Sequence, residues 1–444
     1  MKAQQLAPKR EIFGWAMFDF ANQAYTLLII TVIFGDLFTR VIVGDGPDYR
    51  FGNLLWSISL SSSYLLVVLC APVAGAIMDY TAAKKRFLFA SYLLTVITTT
   101  LLYFVAPGYA LLGVFLLILS NFAYSIGESF IASFLPDLGP PRSLGRISGF
   151  GWALGYVGGL ISAAFALTLL GEVSLENFER IRWIGPLAGV FFLVTAIPTF
   201  LWLRERGVAQ AALPRRQYLS IGIQRVRQTV TRLQAHRDLA VLLASTFFAM
   251  NGIYIIITYA FIYGAQVVKW DEATRVTMFI LVQITAAAGA LGFGWVQDRL
   301  GAMRTYRITL WMWILAVTLI FLTPTLSTAL QMAGINWEAQ QVFLIVGCAA
   351  GLSLGSCQSS TRTLVGLFTP LSRSAEFFGF WGLTMKLAGA SGLLIIGLLQ
   401  MAFGLRTAIL WCAVLFFIAW IVSLRVDQSR GEAAAGSENE NAPV

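Results

Sequence analysis

APVAGAIMDYTAAKKRF, residues 71–87, passes from an apolar stretch through a glycine and an aspartate into three cations, and the order returns as GFGWVQDRLGAMRTYR, residues 292–307. Gly75 and Asp79 stand four apart, as do Gly294 and Asp298, and residues four apart share one face of a helix. Cations just beyond such a face mark the point where a helix leaves an apolar environment. Two copies separated by half a chain predict a duplicated fold.

The surrounding composition says what that environment is. Of 444 residues, 58% are hydrophobic and 12% charged, about half the charged share of an ordinary soluble domain. Apolar runs long enough to cross about 30 Å of hydrocarbon recur at 14–38, 54–78, 87–106, 110–135, 147–171, 183–203, 239–265, 275–297, 307–325, 341–367, 377–402 and 405–425. The first is long enough to tilt or to begin outside the lipid. The expected fold is all-α and polytopic, with twelve transmembrane helices in two six-helix pseudo-repeats.

Net charge is +9, which in a soluble chain points toward nucleic acid. With a cytoplasmic N-terminus, however, only Arg40, Arg50, Arg180, Arg182, Lys269, Arg275 and Arg406 fall in external loops, and Arg362 and Lys386 fall inside runs. The other 22 of the 31 Lys and Arg residues lie on the cytoplasmic side. This positive-inside bias places both termini in the cytoplasm and leaves no nucleic-acid partner to expect. The four cysteines lie in apolar runs without metal-ligand spacing, and no cleavable signal peptide is expected.

Other echoes extend the duplication. Pro136 in FLPDL returns as Pro370 in LFTPL, Trp152 in GFGW as Trp381 in GFWG, and Phe20-Ala21 before Tyr25 as Phe248-Ala249 before Tyr254. The expected domains are an N-terminal six-helix bundle, 1–203, a basic linker, 204–238, a C-terminal bundle, 239–425, and a disordered cytoplasmic tail, 426–444. The linker carries eight arginines, and Arg225, Val226, Arg227 and Leu233 suggest an amphipathic helix on the membrane surface. Glycine rows such as Gly347, Gly351 and Gly355, or Gly155 and Gly159, read as close helix packing.

Polar side chains at helical spacing collect on particular runs. The first carries Asp19, Asn22, Gln23 and Thr26, the fourth Asn121, Tyr124, Ser125 and Glu128, the seventh Asn251, Tyr254 and Thr258, and the tenth Gln358, Ser359 and Arg362. An aspartate at the centre of a span costs about 2.5–3.5 kcal/mol on insertion scales, so such a group is paired, hydrated or useful. Asp19 is therefore either a cavity residue or a cap near the cytoplasmic headgroups. Glu128, Arg362 and the central cation Lys386 are either ligands for substrate and proton or members of structural ion pairs.

The two opening stretches resemble the cytoplasmic signature of the major facilitator superfamily, which the second copy follows through Gly294, Asp298, Arg299, Gly301 and Arg304. The first copy departs from it with Tyr80 and Ala82 in the arginine and glycine places. GWAMFDFANQAY, FLPDLG with RISGFGWALGYVGG, and GSCQSSTRTLVGLFTP with SAEFFGFWGLTMKLAG are similar to the vacuole-effluxer-like branch, also called the unknown major facilitator family. The resemblance implies that runs one, four, seven and ten line a central cavity. It also implies a cytoplasmic latch, for which Asp79, Lys84, Arg86, Asp298, Arg299 and Arg304 are the candidates. Fungal members of this branch imply export of amino acids from the vacuole.

The expected function is secondary transport of a small polar solute, amino-acid-like, across the inner membrane by alternating access, with protons as the candidate coupling ion and the chain acting as a monomer. Asp19 and Glu128 in one half, and Arg362 and Lys386 in the other, are candidates for the two ends of a zwitterion, or for pairing with each other. A competing reading is a membrane scaffold or assembly factor that kept the fold and lost transport. Enzymatic readings have no footing. Gly351-Leu352-Ser353-Leu354-Gly355 matches the nucleophile-elbow spacing, yet it lies in an apolar run, and the only histidine, His236, sits in the linker. No cofactor or metal is expected.

Overall fold

A computed structural model describes residues 5–44, 49–171, 173–214, 216–231 and 234–440. Every regular element among them is helical. That is what a hydrocarbon solvent demands, because a helix satisfies its own backbone N–H and C=O groups.

The elements follow the apolar runs. α1 (Lys9–Ala24) continues through π-helical turns at Tyr25–Val32 and Leu37–Val43. Then come α2 (Arg50–Thr81), α3 (Lys84–Leu101), α4 (Ala110–Ala132), α5 (Leu144–Leu170) and α6 (Ile184–Thr195). The linker helix α7 (Gln217–Thr231) precedes α8 (Arg237–Tyr263), α9 (Glu272–Leu300), α10 (Ala302–Met332), α11 (Ala339–Leu367) and α12 (Ser374–Ser423). Eleven helical segments among the described residues are long and apolar enough to cross a bilayer. The eleventh is broken at Gly404, whose φ of 75° and ψ of 160° no helix accommodates, so α12 is two arms and the described residues hold twelve such segments.

The chain forms two compact units. The first comprises Met1–Gly139, Leu154–Thr231 and Leu371–Lys386, the second Pro140–Ala153, Arg232–Pro370 and Leu387–Val444. The sequence halves are therefore not the whole story, since the start of α5 groups with the second unit and the start of α12 with the first.

In the first unit an aromatic and aliphatic cluster built on Tyr25, Phe34, Phe38, Leu117 and Ile184 is buried between α1, α4 and α6. Gly75 of α2 lies so close to the Ala375 carbonyl that a β-carbon there has no room. Gly75→Ala is expected to cost about 1–3 kcal/mol through overpacking, read as a lowered thermal midpoint in detergent. In the second unit Gly351 and Gly355 of α11 press on Val282 and Ala286 of α9, so these glycines serve packing.

Two polar segments differ from expectation or refine it. The linker helix forms as expected, with Leu233 outside the described residues. The tail, expected to be disordered, instead folds as α13 (Gln428–Glu440). Its Arg430 grips Asp238 of α8 through Nε to Oδ2 at 2.6 Å and Nη2 to Oδ1 at 2.7 Å. The Gln428 amide oxygen accepts from the Met303 backbone N–H at the start of α10, at 3.0 Å. A polar composition thus becomes ordered because other helices present the groups that it needs.

Candidate functional site

The first amides of any helix lack intrahelical acceptors and carry partial positive charge. In the first unit, Asp79 on the last turn of α2 receives the amides of α12. Its Oδ1 accepts from Ala375 N at 3.0 Å and its Oδ2 from Glu376 N at 2.8 Å. In the second unit, Asp298 on the last turn of α9 does the same for α5. Its Oδ1 accepts from Gly145 N at 3.0 Å, and its Oδ2 from Arg146 N at 3.2 Å and Arg146 Nε at 2.9 Å. The repeated Gly-x-x-x-Asp is one capping device used twice.

Lys84 strengthens the first cap. It is 4% exposed and donates from Nζ to Asp137 Oδ2 at 3.0 Å and to Ser374 Oγ at 2.5 Å. The other gating candidates stand apart from the caps. Arg86 and Arg304 are exposed, and Arg299 lies over the Trp295 ring at 3.5 Å. Asp137 and Arg146 were not singled out from sequence, although both sit in the FLPDLG and RISGF blocks.

Deeper in the first unit, Lys386 Nζ donates to Glu128 Oε2 at 2.8 Å. Tyr124 OH donates to Glu128 Oε1 at 2.8 Å and accepts from Thr26 Oγ1 at 2.7 Å. The Lys386 ammonium lies over the rings of Tyr64 at 5.5 Å and Tyr124 at 5.6 Å, so aromatic faces supplement its carboxylate partner. The Tyr124 ring stacks on Tyr25, with centroids 4.8 Å apart, and Tyr25 OH meets Ser120 Oγ at 2.8 Å. Asn121 Nδ2 donates to Ser63 Oγ at 2.5 Å. Four elements therefore converge on one charge pair whose polar atoms are tied in sequence. The Lys386 side chain is 9% exposed and that of Glu128 26%, so the carboxylate is the more open of the two.

Asp19 and Asn22 are buried in α1 of the same unit, at 8% and 3% exposure. In the second unit, Asn251 Oδ1 accepts from Ser391 Oγ at 3.0 Å, and Asn251 Nδ2 donates to Phe247 O at 2.9 Å. Tyr254 lies beside Gly389, and Gln358 is half-buried. Arg362 is 2% exposed and sends Nε to Ser148 Oγ at 3.1 Å and Nη2 to Ser148 O at 2.8 Å, with its guanidinium over the Trp152 ring at 5.1 Å. Glu128 thus meets Lys386, while Arg362, which lies eight residues before Pro370 as Glu128 lies eight before Pro136, binds α5. Nothing in the sequence pointed to Tyr64, Ser148 or Trp152 as partners. Among the described residues no three His, Cys, Asp or Glu side chains gather as a metal site would require.

Comparison with known proteins places these features in a wider set. A family model described as "Vacuole effluxer Atg22 like" matches residues 54–144 and 142–436. An uncharacterized MFS-type transporter of Bacillus subtilis, YxiO, is 23% identical over 421 residues, covering 93% of each chain. Autophagy-related protein 22-1 of Penicillium rubens is 23% identical, covering 88% of this chain and 78% of its own. Among solved structures, the human organic anion transporter MFSD10 superposes with a TM-score of 0.71 at 15% identity, covering 94% of this chain and 99% of its own. The proton:xylose symporter XylE gives 0.69 at 13%, covering 96% and 98%. At these identities the structural likeness carries the fold alone.

Proposed function

Because the chain belongs to the vacuole effluxer Atg22-like family of major facilitator transporters, multi-pass membrane proteins and not enzymes, we propose that it moves a small zwitterionic solute, amino-acid-like, across the cytoplasmic membrane by alternating access. The observation that carries this reading is the Glu128–Lys386 pair within its ring of Tyr64, Tyr124 and Thr26. A zwitterion can exchange into such a pair without changing its net charge. Its ammonium replaces Lys386 on the carboxylate and takes the aromatic faces, while its carboxylate takes the Lys386 ammonium. A proton on Glu128 has the same consequence as a solute ammonium, since either one frees Lys386. That equivalence makes proton coupling the natural companion of this solute class.

The two aspartate caps supply the gate. Each joins a helix of one sequence half to a helix of the other, α2 to α12 and α9 to α5, so any swing of the halves against each other must open them. The charge bias supports a cytoplasmic face for both caps and for both termini.

The test is flux in proteoliposomes, with a panel of neutral, anionic and zwitterionic metabolites driven by an imposed pH gradient. The expected result is movement of zwitterions that depends on the gradient, with the dependence abolished and flux lowered about tenfold or more in Glu128→Gln. Undiminished gradient dependence in that variant removes Glu128 from coupling. Flux of none of the panel, in a protein that co-purifies stably with another membrane protein, favours the scaffold reading instead.

A further inference from the structure

Helix α7 in the linker has two unlike faces. Its inner face is seated on the first unit. Gly222 lies against Val73 and Ile77 of α2 with no room for a side chain, and Tyr218 meets Tyr80 edge-on at 6.3 Å. At the other end of that face Thr229 hydrogen-bonds both Glu376 and Arg373, and Arg225 Nε lies 3.9 Å from Glu376 Oε2. Glu376 is fully buried, and it is also the residue whose backbone amide is held by Asp79. The linker is therefore bolted to the first turn of α12, at the very residues that form the first cap.

Among the described residues nothing covers the adjoining face, which has a regular pattern. Leu219, Ile223, Arg227 and Val230 succeed one another at spacings of four, four and three, which places them on one stripe, and Arg216 stands in the turn just before the helix. Leu219, Ile223 and Val230 are 61%, 52% and 48% exposed, and Arg216 and Arg227 are exposed beside them. Ser220, Gln224 and Gln228 lie on a third, polar side. Three apolar side chains interleaved with two cations suit one kind of surface, a bilayer with anionic headgroups.

The seat of the helix agrees. Leu65, Leu69, Val73 and Ile77 form a single stripe along α2. Its first two members are 59% and 62% exposed, as residues facing acyl chains are, and its last two lie beneath α7. The linker helix thus covers the cytoplasmic continuation of a lipid-facing surface. Its own apolar stripe extends that surface sideways at the depth of the headgroups.

We propose that α7 is an in-plane anchor that reads anionic lipid and passes that reading to the first cap. Anionic headgroups on Arg216 and Arg227 hold the helix down. Thr229 and Arg225 then keep Glu376 in place, and the Asp79 cap stays closed more of the time. With zwitterionic lipid alone the anchor is looser and the cap opens more readily. This inference stands apart from the choice of solute and from the role of Glu128.

Two measurements on the full chain test it, and neither needs a substrate. In a background with the four native cysteines replaced, bimane is attached at Ile223→Cys or at Ser220→Cys. A lipid-borne nitroxide is expected to quench the first about threefold more than the second, and aqueous iodide the reverse. Equal quenching by the two agents, or coverage of position 223 by a co-purifying protein in place of lipid, overturns the anchor. Hydrogen exchange is then followed at the Ala375 and Glu376 amides in phosphatidylcholine vesicles with and without phosphatidylglycerol. Exchange is expected to be about fivefold slower with the anionic lipid, and the difference should vanish in R216Q/R227Q. An equal rate in both vesicles, or a difference that survives in R216Q/R227Q, overturns the coupling.

Discussion

Asp79→Ala is expected to accelerate hydrogen exchange at the Ala375 and Glu376 amides by about ten- to a hundredfold while leaving the Gly145 and Arg146 amides unchanged. The carboxylate is a charge-assisted acceptor for two backbone donors in the first turn of α12, where a helix leaves its amides short of intrahelical acceptors. Hydrogen bonds to a charged group are worth about 1.5–3 kcal/mol, and each 1.4 kcal/mol is a factor of ten in the opening equilibrium. Asp298→Ala should produce the mirror result, with faster exchange at Gly145 and Arg146 only. There the exposed Arg146 side chain loses its partner as well, although at 56% exposure that ion pair adds little. Asp79→Asn separates charge from geometry. It keeps one oxygen for one amide, so its effect should fall between wild type and alanine. If Asp79→Ala leaves exchange at 375 and 376 unaltered, the cap is a static contact with no part in gating.

Lys386→Met is expected to destabilise the protein by about 3 kcal/mol, because it leaves the partly buried Glu128 carboxylate without its cation. Glu128→Gln should cost less. Its amide oxygen can still accept from Tyr124, and Lys386 keeps the faces of Tyr64 and Tyr124. The double variant E128Q/K386M should recover most of the loss from Lys386→Met, giving a coupling energy of roughly 2 kcal/mol in a double-mutant cycle read by chemical or thermal unfolding in detergent. Additive effects in that cycle mean that the two charges do not recognise each other in solution. Should the double variant be stable yet fail to transport, the pair serves function more than stability, as a solute-exchangeable contact requires.

What the sequence made legible follows from which forces act locally. Hydropathy fixed the crossings because a bilayer penalises every exposed backbone dipole along some twenty residues, a signal too long to be hidden. Asp79 and Asp298 stood out because a capping residue must occupy a set position relative to its helix end, and duplication wrote that position twice. Glu128 and Lys386 were visible as isolated charges, but their partnership was not. It depends on the rotation of α12 about its axis against α4, which no residue spacing within either helix encodes. Arg362 stands eight residues before Pro370 as Glu128 stands eight before Pro136, an acid and a base at matching depth, yet its guanidinium is held by Ser148 and Trp152. The tail shows the opposite limit. QSRGEAAAGSENE is made largely of small and polar residues, and partners on other helices, Asp238 for Arg430 and the Met303 amide for Gln428 among them, accompany its folding as a helix.

The exchange of helix beginnings between the compact units bears on ancestry. The second helix of each repeat grips the opening turn of the fifth helix of the other repeat, so one contact appears twice with its roles reversed. An unduplicated six-helix forebear could satisfy that contact only by meeting another copy of itself, through the self-complementary patch of a twofold dimer. Fusion of two such genes would then have joined partners already in register, and each repeat on its own would still carry an aspartate reaching for a neighbour.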